Sequence, residues 1–354
     1  MDEDFEQQSW SCPKQLSRTH IKGQGIESIP HIKKCTLINY LSESLKEADI
    51  KWSLFCAACN SYRFDSVLKP FPPLFVVNPE NKEIEHLRRV IESCPSLIQV
   101  IQNLKDDKIS ETLQDLLYWV LIQLNEPVFK YEAKEEHSNI LSQVPSMAGA
   151  ALPDYIFKVT YGTRAQQKFA LTALNRTTKM AFHGSRLENF FSIVNHGLQV
   201  SYNKRGMFGP GTYLSSEMSL SLTYSPVGYA WNYSTFGSHI SIVALCEIID
   251  HPEVRSEFDS KKGSNANLLD ICGNQSTPGK YFIVENNDFV RVRYLLVYGS
   301  YDSEAASLRT SPTILGWIKR HKMFTFALAY VILLLAIGSS NSSLISKYFR
   351  RLLR

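Results

Sequence analysis

From Met323 to Ser346 the chain runs for 24 residues without a charge, and the stretch Phe324-Thr-Phe-Ala-Leu-Ala-Tyr-Val-Ile-Leu-Leu-Leu-Ala-Ile337 is almost wholly apolar. A helix rises about 1.5 Å per residue, so roughly 20 residues cross the ~30 Å hydrocarbon layer of a bilayer. The densest part, Met323 to Ile337, is short enough for a buried core helix. Two features favour a membrane instead: apolar residues cover every helical face, and basic residues bracket the run. Lys319, Arg320 and Lys322 precede it, and Lys347, Arg350, Arg351 and Arg354 follow it. The expectation is a single C-terminal transmembrane helix over 323–346, in contact with membrane lipid. Only eight residues follow Ser346, so the span would insert after synthesis, as a tail anchor. The acidic start Met1-Asp-Glu-Asp-Phe-Glu6 is neither a secretory signal nor an Arg-rich transit peptide, which would leave residues 1–322 in the cytosol.

The remaining length suggests about two units at ~150 residues each. Lys plus Arg number 38 against 34 Asp plus Glu, a net charge of +4. That excess is far below what a phosphate-backbone binder needs, so no specific nucleic acid partner is expected. The seven cysteines are odd in number and scattered, which suggests reduced thiols. Cys56-Ala-Ala-Cys59 has the spacing of half a zinc site, but no second CxxC or HxxxH completes it. It reads as two buried thiols on a helix, with no metal.

The first third reads as helical. Ile109, Leu113, Leu116, Leu117, Val120, Leu121 and Leu124 recur at helical spacing, and Ile84, Leu87, Val90, Ile91, Ile98 and Ile101 do so around a break at Cys94-Pro95. Residues 130–153 turn polar and Pro/Ser/Ala-rich, as a linker would. After them the period becomes two. Strands are expected at Tyr155–Tyr161, Met180–His183, Thr212–Ser215, Ile240–Ile248, Tyr281–Glu285 and Val290–Val297, with short helices at Leu187–Asn195 and Glu217–Tyr224. Residues 250–280 read as a polar insertion between strands. The fold class is α+β, mostly antiparallel sheet.

Several chemistries lack their motifs. There is no GxGxxG after a strand, no GxxxxGK[ST], no HExxH and no GxSxG. The run Gly206-Met-Phe-Gly-Pro-Gly211 is glycine-rich, but it precedes a strand, whereas a phosphate loop follows one and opens a helix. Ala181-Phe-His-Gly-Ser185 ends a strand in a His-Gly pair. Some 30 residues on, Phe208-Gly-Pro-Gly-Thr-Tyr-Leu-Ser-Ser216 joins the glycine loop to a strand carrying Tyr213, and Ser221 and Tyr224 follow.

In this order and spacing the segments resemble the signature of the poly(ADP-ribose) polymerase family, the diphtheria-toxin-like ADP-ribosyltransferases. Lys280-Tyr-Phe-Ile-Val-Glu-Asn-Asn287 and Val290-Arg-Val-Arg-Tyr-Leu-Leu-Val-Tyr298 are similar to the closing strands of that fold. The likeness extends to Ser66-Val-Leu-Lys-Pro-Phe-Pro72 and to the anchor, features of the family's tail-anchored, endoplasmic reticulum branch. It implies an all-α regulatory domain over 1–135, a mainly antiparallel β catalytic domain over 136–303, a linker over 304–322, the anchor, and a lumenal tail over 347–354. It also implies NAD as ADP-ribose donor, with no metal, and protein acceptors that include the enzyme itself. The location implied is the cytosolic face of the endoplasmic reticulum membrane or the continuous nuclear envelope, with a part in stress signalling there.

Carried over residue by residue, His183 would bond the adenine-side ribose and the Gly184 backbone would hold the nicotinamide carboxamide. Tyr213 would lie along the nicotinamide and its ribose, Tyr224 would stack on the opposite ring face, and Ser221 would bond the carboxamide oxygen. Tyr281 stands where the polymerases carry a catalytic glutamate. Glu285 lies four residues on, about 13 Å along an extended strand, and is a poor substitute. The missing carboxylate implies transfer of one ADP-ribose unit only. The alternative is an NAD-binding scaffold, catalytically weak, that recruits partners to the membrane.

Overall fold

The computed structural model describes residues 29–78, 81–144, 147, 150–202, 209–258 and 280–299. The first third is helical, as its 3.6-residue spacing predicts. Helices α1 (Ile29–Glu43), α2 (Leu45–Asn60) and α3 (Phe64–Val67) lead to a small hairpin of β1 (Val76–Asn78) and β2 (Asn81–Lys82). Helices α4 (Ile84–Glu92), α5 (Leu97–Lys105) and α6 (Glu111–Tyr118) follow, and α6 runs on into a π-turn at Trp119–Gln123. The expected break at Cys94-Pro95 separates α4 from α5. Ser96 and Ser110 start the next two helices, their hydroxyls accepting the Gln99 and Leu113 amides at 3.3 Å. Cys56 and Cys59 lie on α2 as buried free thiols, their pKa values pushed well up by desolvation.

The stretch 130–153 is not the linker its composition suggests. It holds most of β3 (Val128–Glu132) and all of α7 (Lys134–Leu141), and β3 pairs antiparallel with β4 (Tyr155–Thr160). The sheet therefore begins before residue 136. An edge strand shows water its alternate residues; here Val128 and Lys130 are exposed and Phe129 is buried, which makes the composition look polar.

Beyond β4 come α8 (Thr163–Thr172), β5 (Thr178–Gly184), α9 (Phe190–His196), β6 (Thr212–Ser215), α10 (Met218–Thr223), β7 (Gly228–Tyr229), β8 (His239–Ile249), β9 (Arg255–Phe258), β10 (Lys280–Val284) and β11 (Val290–Gly299). Among the described residues β3 to β11 form one antiparallel sheet of order β3-β4-β11-β8-β5-β6-β10-β9, with β7 pairing on β8. The six strands expected from alternation are all present. Helix α8 was not anticipated because only Phe169 of its ten residues is buried, leaving no apolar stripe. Strand β9 lies inside the expected insertion; the rest of that insertion, from 259 to 279, lies outside the described residues. So do the linker 304–322, the span 323–346 and the tail 347–354. Among the described residues no helix is long and apolar enough to cross a membrane.

Strand β8 explains the arrangement. It is buried almost end to end, so both of its faces must be covered. Ile240, Ile242, Ala244, Cys246 and Ile248 join a core shared with the helical layer. Val243 and Leu245 face the other way, onto Ile156, Phe182, Leu296, Ile140 of α7 and Met218 of α10. Helix α2 is the helical layer's contribution: every residue from Ala48 to Cys59 is buried, with α1, α4 and α5 beside it and the sheet domain beyond. Helical layer and sheet thus share one core.

A carboxylate sits in that shared core. Asp49 of α2, 1% exposed, accepts the Trp231 indole N–H at 3.1 Å, the Thr235 amide at 2.5 Å and the Ser53 hydroxyl at 3.1 Å. Nearby, Lys51 donates to the Leu124 carbonyl, and burial lowers its pKa to about 8. Asp49→Ala withdraws the acceptor from two buried donors, Trp231 and Ser53, and from the Thr235 amide, and is expected to cost roughly 3–5 kcal/mol. Chemical denaturation checks this; a loss under ~1 kcal/mol would contradict it.

Candidate active site

The six residues singled out in the sequence converge. His183, Gly184, Tyr213, Ser221, Tyr224 and Tyr281 all line one cavity of about 500 Å³, against β5, β6, β10 and α10. They come from four chain segments, which the antiparallel pairing of β5 with β6 and of β6 with β10 draws together.

His183 is buried at the end of β5, and its Nδ1 lies 2.9 Å from the Tyr213 carbonyl oxygen. A carbonyl only accepts, so Nδ1 carries the proton and Nε2 of the neutral ring is left as an acceptor. Desolvation pushes the imidazole pKa down, opposed by that backbone hydrogen bond. The Tyr213 hydroxyl donates to the Gly209 carbonyl at 2.6 Å, which ties the ring to the glycine loop.

The glycines are explained by close approach. A Cβ on Gly184 would lie 2.0 Å from the Ser221 carbonyl oxygen, so only glycine lets α10 close onto β5. Gly211 has φ +146°, and a Cβ there would meet the Ile283 side chain of β10 at 2.4 Å. The loop therefore serves to seat β6 against β10; Gly206 lies outside the described residues. Next to Gly184, the Ser185 amide donates to Ser225 Oγ at 3.1 Å, and Ser241 Oγ donates to the Ser225 carbonyl at 2.6 Å. Ser221 is buried, while Tyr224 is 55% exposed, at the mouth.

Tyr281 is buried on β10, directly across from Ser215 of β6. Glu285, just past β10, is exposed and paired with Arg255 at 2.7 Å, and Arg255 also reaches the Pro210 carbonyl at 3.4 Å. This carboxylate braces the glycine loop from outside. No carboxylate occurs among the described residues that line the cavity.

Part of the lining was not anticipated. Arg63, Ser66 and Val67 reach it from α3, and Asn189, Ile193, Leu198 and Gln199 from α9 and its flanks. Arg63 Nη2 donates to Asn189 Oδ1 at 2.9 Å, and Asn189 Nδ2 donates to Ser185 Oγ at 2.8 Å. A four-residue helix has no period to read, and the approach of α3 to α9 is a tertiary event.

Residues 134–268 match the profile described as the poly(ADP-ribose) polymerase catalytic domain, and residues 39–121 match that of the ARTD15 N-terminal domain. The chain is similar to protein mono-ADP-ribosyltransferase PARP16 of Mus musculus, 35% identical over 88% of this chain and 96% of that protein. Its similarity to the PARP16 of Homo sapiens is 36% identity over 86% and 93%. Protein mono-ADP-ribosyltransferase PARP8 of Mus musculus is more distant, at 22% over 70% of this chain and 30% of that protein. The chain belongs to the poly(ADP-ribose) polymerase family. It is an ADP-ribosyltransferase, and such polymerase-family transferases use NAD as substrate.

Two outcomes follow for the family member described here. Gly184→Ala is expected to push α10 off β5 and abolish the NAD-dependent thermal shift, which differential scanning fluorimetry reads; a full shift would contradict the packing. NAD binding should also stay level as pH falls through ~6.5, the ordinary imidazole value, and fail only below it. The unfolded chain takes up the His183 proton first, so stability from the buried neutral ring is present above ~6.5 and lost as pH falls toward the depressed folded value. A binding midpoint at or above 6.5 that disappears in His183→Gln would contradict it.

Proposed function

We propose that this enzyme is a mono-ADP-ribosyltransferase that uses NAD to modify itself and neighbouring proteins from the cytosolic face of the endoplasmic reticulum. The observation that carries the reading is one cavity of about 500 Å³ with His183, Tyr213, Ser221, Tyr224 and Tyr281 on its walls and no carboxylate among its described lining residues. The names of the mouse and human relatives support single-unit transfer.

In this reading His183 Nε2 accepts from the adenine-side ribose, the Gly184 backbone and Ser221 hold the carboxamide, and Tyr213 and Tyr224 clamp the nicotinamide ring. The ring is thereby held in line for departure. The ribose–nicotinamide bond breaks through an oxocarbenium-like state, nicotinamide leaves with the electron pair, and the acceptor's nucleophile closes on the ribose carbon. A Glu or Asp side chain of the target supplies the negative charge that the cavity lacks. Without a carboxylate at position 281, no group activates a ribose hydroxyl for a second addition, so growth stops at one unit. Residues 323–346 anchor the chain by its tail, which restricts acceptors to proteins at that membrane and suits signalling of stress there.

Labelled NAD given to microsomes carrying the full chain tests this. Wild type should label itself and its neighbours, His183→Ala and Tyr213→Ala should lose at least tenfold of the label, and external protease should remove residues 1–322. Undiminished NAD binding with no transfer would favour a scaffold; protection of the whole chain from protease would overturn the orientation.

A further inference from the structure

NAD carries two phosphates, and the planar guanidinium fork of an arginine matches phosphate oxygens. Every described residue lining the catalytic domain's share of the cavity is uncharged, apart from His183, which burial keeps neutral. The one charged side chain among the described lining residues is Arg63, and it comes from the helical layer. It stands at the start of α3 beside Val67, against Asn189 of the α9 segment.

Arg63 is held but not saturated. Its Nη2 donates to Asn189 Oδ1 at 2.9 Å and lies 3.6 Å from the Glu188 carboxylate, which Arg186 also approaches at 3.8 Å. Its Nε is buried with no hydrogen-bond partner among the described residues, while the side chain as a whole keeps 38% exposure. A guanidinium that keeps this exposure at the cavity wall, held by one amide oxygen and near one carboxylate, can still donate to an anion. Its location gives the occupant. Gly184, Ser221 and Tyr224 mark the nicotinamide end, and the Arg63–Asn189–Ser185 hydrogen-bond chain leads from α3 to that end. Val67, Ile193 and Leu198 line the same cavity and offer an apolar wall to a base beside a diphosphate held at Arg63.

We propose that Arg63 is the donor-binding residue that the helical layer supplies, its guanidinium binding the diphosphate of NAD. This rests on the cavity being the NAD site. The helical layer then completes the donor site in addition to packing on the sheet, and Asn189 positions the guanidinium.

The test is titration calorimetry on the full-length protein in detergent, with ADP-ribose, adenosine and nicotinamide as separate probes. Arg63→Gln keeps an amide donor toward Asn189 and removes the charge. It should weaken ADP-ribose about tenfold, on the order of one charge-assisted hydrogen bond, and leave adenosine and nicotinamide unchanged. Arg63→Lys should recover part of the loss, and KM for NAD should rise with kcat level. Equal ADP-ribose affinity in Arg63→Gln would overturn the assignment, as would tighter binding, which would make Arg63 a gate. Parallel weakening of all three probes would reduce it to a packing residue. Wild-type protein that binds neither ADP-ribose nor nicotinamide would overturn the donor-site reading itself, and this assignment with it.

Discussion

A buried carboxylate holds the two halves of this protein together. Desolvating Asp49 is costly, and the cost is offset only because Trp231, Thr235 and Ser53 all donate to it. Two of those donors belong to the sheet domain, so α2 can be buried only where that domain provides them. The surrounding contact is aromatic: Trp52 meets Trp231 edge-on at 6.4 Å, and Phe55 meets Phe191 of α9 at 5.4 Å. Apolar burial supplies the bulk of the attraction and would tolerate small slides. The directional bonds to Asp49 fix the register, and with it the position of α3 beside the cavity.

Much of this fold was legible because its signals are periodic. The helical stripes on α4 to α6 and the alternation in β4, β5, β6, β8, β10 and β11 each survive averaging over several residues. What escaped has weak or no period. Strand β3 is an edge strand with mixed exposure, α8 buries one side chain, and α3 is a single turn. Composition misled at 130–153 for the same reason: polar content reports exposure, and an exposed strand looks like a linker. The expected all-α unit over 1–135 holds β1, β2 and β3, and the helical and sheet regions share a core that no local pattern displays.

The site divides similarly. The six expected residues are carried by motif segments, and strand pairing together with the packing of α10 on β5 brings them to one cavity. The glycines could be recognised as unusual but not explained; only the approach of Ser221 to Gly184 and of Ile283 to Gly211 gives the reason. Arg63, Asn189 and Ser225 had no signal, because each acts through a partner distant in sequence.

The proposed limit of one unit turns on Tyr281. Tyr281 is buried at the cavity wall, where no described lining residue is a carboxylate, and Glu285 is paired with Arg255. Under the proposed single-unit transfer, the described lining offers a second ADP-ribose no carboxylate to activate its hydroxyl. The most direct measurement is intact-mass spectrometry of each modified peptide after prolonged exposure to excess NAD. The account predicts one ADP-ribose per modified side chain at every time point; a ladder of two or more units on a single side chain would contradict it.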